Sequence, residues 1–441
     1  MTARRPVVAV VAALLALAAV VLSAPGTVAA AVPGPSTAPE YWFARWDVRG
    51  LWASGARGQG VTIAVIDTGV TASLPELSGR VLAGKDFGIA GNGQVDHEVN
   101  QFGHGTAMAS IMVARPGLLG ITGLAPAAKV LPIAVPLDGT TDAKRPDRLP
   151  AAIGWAADHG ASIINLSIGG KQYPGRDAVP CSPAEQDAVF HALDRGAVVV
   201  AAVGNTGPHR NIVEDPGACL GVVTVGAVDR RGRVASFSSR QPYLSLVAPG
   251  VNIPSLGRKA GDAFAGDGTS QATALVSASL ALAKSAHPKL SGPALVARLF
   301  ATLDGRTARP SPSRGYGELD AGALVRAHVP PGARDPVARG AAPFYDRYRA
   351  LTHPALPPVP PAGSRPADPV DAGDRATQAD TELHHGLELV AAGLLLLVAL
   401  LAAVAVRRRA APPVIDPDGA AGRRTPAVRP RPGPPADGPR D

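Results

Sequence analysis

Three short segments carry groups that could together perform nucleophilic chemistry: Asp67-Thr68-Gly69, His104-Gly105-Thr106 and Gly268-Thr269-Ser270. A serine hydroxyl is a weak nucleophile until a base removes its proton, and an imidazole serves as that base only when a partner fixes its tautomer. A carboxylate supplies that partner. The expected chemistry is acyl transfer, with Ser270 as nucleophile, His104 as general base and acid, and Asp67 orienting the imidazole.

Each of these groups sits where an element should begin or end. Residues 61–66 form a continuous apolar, β-branched run of the kind a buried parallel strand needs, and Asp67 closes it. Open α/β sheets keep their reactive groups at the carboxyl edge, so Asp67 is placed to accept the Nδ1 hydrogen of His104. Gly103 and Gly105 flank His104, and Met108, Ile111 and Met112 repeat behind it at helical spacing, so His104 should open a buried helix. Ser270 precedes the small-residue apolar run 272–278, which puts its own N–H at the positive end of a second helix. That N–H can stabilise an oxyanion, and the side-chain amide of Asn205, after the strand-like run 198–203 and a glycine, would be the second donor. The rival nucleophile pattern Gly-x-Ser-x-Gly fails, because Ala272 stands where its last glycine should be.

The elements that must position these groups alternate along the chain. Strand-like runs at 61–66, 129–135, 162–166, 198–203 and 222–225 are interleaved with helical patterns at 108–113, 149–158, 184–194 and 270–283. The expected fold class is therefore α/β, a mainly parallel sheet with helices on both faces.

Val-Ile-Asp67-Thr-Gly, Gly-His104-Gly-Thr-Ala, Ala-Ala-Val-Gly-Asn205 and Gly-Thr-Ser270-Gln-Ala, in that chain order, resemble the four blocks of subtilisin-like serine proteases across residues 45–327. The resemblance implies the subtilisin-like three-layer fold and endopeptidase activity. It also implies that Ser167, Ile168 and Gly169, with Ala202, Val203 and Gly204, line the substrate groove and its primary pocket. Within that family the chain looks most like the mycosins, membrane-anchored proteases of type VII secretion. The features that carry this are an amino-terminal leader, a carboxyl-terminal apolar span after a Pro-rich linker, the 184–205 block and the cysteines that bracket it. By that likeness, substrates would be exported proteins or peptides, and a type VII secretion membrane complex would be a partner. Relatives usually carry Pro at the position of Ala274, Gly at that of Ala278, and a further disulfide that this chain cannot make.

Composition bounds the rest. The chain has 441 residues, 46% of them hydrophobic and 18% charged. Arg4 and Arg5 precede an apolar run at 7–22 and small residues at 27–31, the pattern of a cleaved signal peptide over 1–31. Residues 389–406 are uncharged and leucine-rich, long enough to cross about 27 Å of hydrocarbon, and Arg407, Arg408 and Arg409 follow at once. The expected organisation is a peptidase domain with a short amino-terminal extension over 32–328, a Pro-rich linker over 329–386, a membrane helix over 387–406 and a cytoplasmic tail over 407–441. The net charge of +8 does not call for nucleic acid, because the tail alone contributes +4 and two arginines leave with the leader. Cys181 and Cys219 are expected to pair in an oxidising compartment, the other reading being two buried thiols. Asp96-His97-Glu98 invites a metal reading, but adjacent loop residues seldom converge on one ion; no metal and no cofactor are predicted.

Overall fold

The structure, a computed structural model, describes residues 40–343 apart from 89–90, 99–101, 118, 137–147, 173–180, 331 and 342. The expected leader, most of the expected linker, the apolar span 389–406 and the expected tail lie outside the described residues.

The continuous apolar runs become parallel strands because both of their faces are covered. In chain order the strands are β1 (Thr62–Asp67), β2 (Lys85–Asp86), β3 (Lys129–Ala134), β4 (Ile163–Leu166), β5 (Gly170–Gln172), β6 (Val198–Ala202), β7 (Val213–Asp215), β8 (Val223–Val228), β9 (Leu246–Pro249), β10 (Ile253–Leu256) and β11 (Ala263–Gly266). Seven of them build one sheet in the order β2-β3-β1-β4-β6-β8-β9, every neighbouring pair parallel. Two antiparallel pairs, β5 with β7 and β10 with β11, stand apart from it.

Side chains along a strand alternate between faces, and here each face feeds its own core. Ile63 and Val65 of β1 and Val198 and Val200 of β6 join the larger cluster, with the helices His104–Val113 and Thr269–Ala286. Ala64 and Ile66, with Val199 and Ala201, join the other cluster, against the helices Leu149–Asp158 and Pro183–Asp194. The result is the expected three layers. The carboxyl ends of β1, β4 and β6 lie along one edge, and the strand order reverses at β1, which has β3 on one side and β4 on the other. Such a switch point leaves a crevice where a ligand can enter.

Two short helices, Tyr41–Arg45 and Val48–Ala53, were not expected as part of the core. Trp42, Trp46 and Leu51 are nonetheless buried in the larger cluster with Leu324 and Val325 of the helix Ala321–Arg326, and Val337 joins them from beyond residue 328. Cys181 and Cys219 are joined in a disulfide. It ties the start of the Pro183–Asp194 helix, which Ser182 and Glu185 close with a capping box, to the turn before β8. Among the described residues, no helix is long and apolar enough to cross a membrane.

Candidate active site

Asp67 is the last residue of β1 and is fully buried. A buried carboxylate must be hydrogen-bonded, and this one accepts from the Thr68 N–H at 2.8 Å and from His104, whose Nδ1 lies 2.8 Å from Oδ1 and 2.9 Å from Oδ2. An ionised carboxylate can only accept, so Nδ1 carries the hydrogen and Nε2 is turned away from Asp67. The His104 side chain keeps 29% relative exposure, enough to meet a substrate.

The position of His104 depends on how its helix begins. The first turn of any helix leaves N–H groups without intrahelical partners, and here side chains meet three in succession. His104 N donates to Glu98 Oε2 at 2.7 Å, Gly105 N to the Thr68 hydroxyl at 3.0 Å, and Thr106 N to Asp96 Oδ2 at 2.8 Å. Asp96 is buried and also accepts from the hydroxyls of Thr68 and Thr106 and from the Glu98 N–H. The acids that invited a metal reading therefore cap the His104 helix, where negative charge is favoured, and His97 bonds Asp86 instead at 2.7 Å. Gly105 is required by close approach: a Cβ there would lie 2.1 Å from the Gly69 carbonyl oxygen.

Electrostatics at His104 has a definite direction. Burial works against the imidazolium, but the charge of Asp67 and its hydrogen bond, helped by Glu98 and Asp96, outweigh it and raise the imidazole to about 9.

Ser270 lies in the first turn of the Thr269–Ala286 helix, whose first fifteen residues are all buried. Ala274 and Ala278 are among them, and the helix runs through both without interruption. The Ser270 hydroxyl donates to the Ser167 carbonyl at 2.8 Å, and the Ser167 hydroxyl donates to the Ser270 carbonyl at 2.9 Å. Behind this pair, Asn165 within β4 bridges Ser167 and Ser277, so a polar network binds the strand to the helix. Asn205 is exposed after β6, and its Oδ1 accepts from Thr269 N at 2.9 Å and from the Thr269 hydroxyl at 3.0 Å. With the oxygen so engaged, the amide nitrogen is the end left to donate.

The expected groove residues divide by where their side chains go. Ser167 meets Ser270 directly, while Gly169 and Gly204 present bare backbone. Val203 is fully buried in a satellite cluster with Tyr243 and Val247, and Ala202 ends β6 at 5% exposure, so these two can offer little beyond their main chains, while Ile168 packs half-buried against the second core. Sequence reasoning missed Asn165, the capping work of Thr68, Asp96 and Glu98, and Glu214, whose carboxylate lies against Gly169 and Gly204. Only the acids ahead of the helix left a signal, as negative charge before a helix start.

The model of the family described as "Subtilase family" matches residues 58–318. The chain belongs to the subtilase family. It is 34% identical over 240 residues to the major intracellular serine protease of Bacillus subtilis, a match spanning 53% of this chain and 72% of that protein. To mycosin-3 of Mycobacterium tuberculosis it is 31% identical over 335 residues, spanning 62% of this chain and 69% of that protein. Among solved structures, that of the MycP3 protease from the type VII (ESX-3) secretion system shows 29% identity and a TM-score of 0.57, covering 69% of this chain and 90% of that one. The chain is accordingly a subtilisin-like serine endopeptidase, similar to the mycosins.

Proposed function

We propose that Asp67, His104 and Ser270 form the hydrolytic triad of this subtilase, acting on exported proteins or peptides from outside a membrane to which residues 387–406 anchor it. The observation that carries this reading is the paired contact of His104 Nδ1 with both Asp67 carboxylate oxygens at the edge where β1, β4 and β6 end. In the reaction, the Ser270 hydroxyl leaves the Ser167 carbonyl by rotation about its side chain and gives its proton to His104 Nε2 as Oγ attacks the peptide carbonyl. Such bonds commonly tighten only with substrate present. The new oxyanion is met by the Ser270 N–H at the helix start and the Asn205 amide. His104 then protonates the leaving amine, and water repeats the sequence to release the acyl group.

Anchoring and orientation rest on the apolar run 389–406 and the arginines that follow it. The likeness to a protease from a type VII secretion system supports exported proteins as substrates and a secretion membrane complex as partner. A second reading, in which the chain chiefly stabilises such a complex, draws on that same likeness.

One experiment addresses these parts together. Intact cells expressing the full-length chain should hydrolyse an impermeant protein substrate, and Ser270→Ala should lower that hydrolysis by about 10⁴-fold or more. Hydrolysis that appears only after lysis would overturn the orientation, and hydrolysis undiminished in Ser270→Ala would overturn the nucleophile. Export that survives Ser270→Ala but not deletion of the whole chain would favour the second reading.

A further inference from the structure

The backbone segments leaving β4 and β6 run on either side of Ser270. Ser167 touches the Ser270 hydroxyl, and Gly169 lies two residues on. Asn205 holds Thr269, and Gly204 directly precedes it. These are the segments that the resemblance to subtilisin-like proteases implies as the walls of the primary pocket.

Glu214 brings a carboxylate to these segments. Glu214 is the middle residue of β7, only 9% exposed, and its acid group packs against both glycines. A Cβ on Gly169 would stand 2.4 Å from Glu214 Oε2, and one on Gly204 would stand 2.6 Å from Oε1. Neither position could carry a side chain with the acid in place. The backbone of Glu214 is fixed as well: its N–H donates to the Tyr243 hydroxyl at 3.1 Å, its carbonyl accepts from Ala218 N at 3.0 Å, and its register in the β5–β7 pair sets it opposite Lys171.

We propose that Glu214 makes the enzyme select a cationic residue, arginine or lysine, at the position whose carbonyl is attacked. Taking Ser270 as the nucleophile, this names the substrate class of the same site. A guanidinium or ammonium brought between Gly169 and Gly204 loses its water, and the Glu214 carboxylate beside both glycines returns charge-assisted hydrogen bonds that an apolar or acidic side chain cannot make. The assignment rests on the carboxylate lying against Gly169 and Gly204, whatever other partners it holds.

The test uses the full-length chain and fluorogenic peptides that differ only at that residue: arginine, lysine, alanine, phenylalanine or glutamate. The wild type should cleave the arginine and lysine peptides with kcat/KM roughly tenfold or more above alanine and phenylalanine, with glutamate last. Glu214→Gln, which keeps the shape and removes the charge, should lower the ratio of kcat/KM for the cationic peptides to that for alanine and phenylalanine by roughly tenfold or more. Benzamidine, a small aromatic cation, should compete with substrate in the wild type, a readout that needs no variant. A preference for alanine or phenylalanine, or a uniform fall in Glu214→Gln with no benzamidine competition, would overturn the proposal. If a fluorophosphonate labels Ser270 and the profile is flat, the Glu214 assignment alone fails; if Ser270 is neither labelled nor required, the nucleophile fails and this assignment with it.

Discussion

At the scale of single residues, the His104 environment sets a pH dependence. The imidazole is raised to about 9 because Asp67, with Glu98 and Asp96, outweighs the cost of burying the cation. Below that value His104 holds a proton on each nitrogen and cannot fill the base role proposed for it. kcat/KM should therefore climb about tenfold per pH unit from near pH 6 and level off only around 9. A rate profile over that range checks this, and a plateau already reached at neutral pH would contradict it. Stability runs the other way. A histidine whose folded value lies above its unfolded value, about 6.5, contributes its full stabilisation below the unfolded value and loses it as pH rises through the folded one. The form with a working base is thus the form in which the Asp67–His104 pair stabilises the fold least. The placement of Asp67, His104, Ser270 and Asn205 at a strand end or helix start was legible in the sequence because a glycine lies close to each. Glu214 was not legible, since its place depends on β7 crossing toward the exits of β4 and β6, and nothing in Val213-Glu214-Asp215 announces that.

At the scale of elements, pattern served best where burial is complete. The helix Leu149–Asp158 has the bounds its pattern implied, and the strand runs shift by only a residue or so at most ends, though β8 continues to Val228. β9 and the β10–β11 pair were missed because their short runs, interrupted by Pro249, Pro254 and Gly257, lack a clear period. The Tyr41–Arg45 helix was missed because five residues cannot show one turn's periodicity convincingly; the burial of Trp42 and Trp46 is a tertiary effect. The disulfide belongs to this scale, since it joins a helix start to a strand start. Closing a loop with a 38-residue sequence separation should stabilise by about 4 kcal/mol in the chain-entropy account. Replacing both cysteines by serine should lower the urea midpoint accordingly while leaving kcat nearly unchanged, because neither cysteine touches the reacting groups. An unchanged midpoint would show that the bridge constrains nothing the core does not already hold.

At the scale of the whole molecule, the three-layer order brings to one edge groups separated by more than two hundred residues: Asp67 from β1, Ser167 after β4, Asn205 after β6 and Ser270 at the start of a helix packed on one face of the sheet. The sequence could announce the edge, because the strand ends carry the polar residues. Of the capping of the His104 helix by Asp96 and Glu98 it carried only negative charge ahead of a helix start, because the contacts themselves depend on how the preceding loop folds. The central claim is that this edge activates Ser270. Fluorophosphonate treatment of the full-length protein, followed by peptide mass spectrometry, tests it most directly. One equivalent of label on Ser270, lost in a His104→Ala variant, is the predicted result; label spread over surface hydroxyls, or absent from Ser270 while peptide hydrolysis continues, would contradict it.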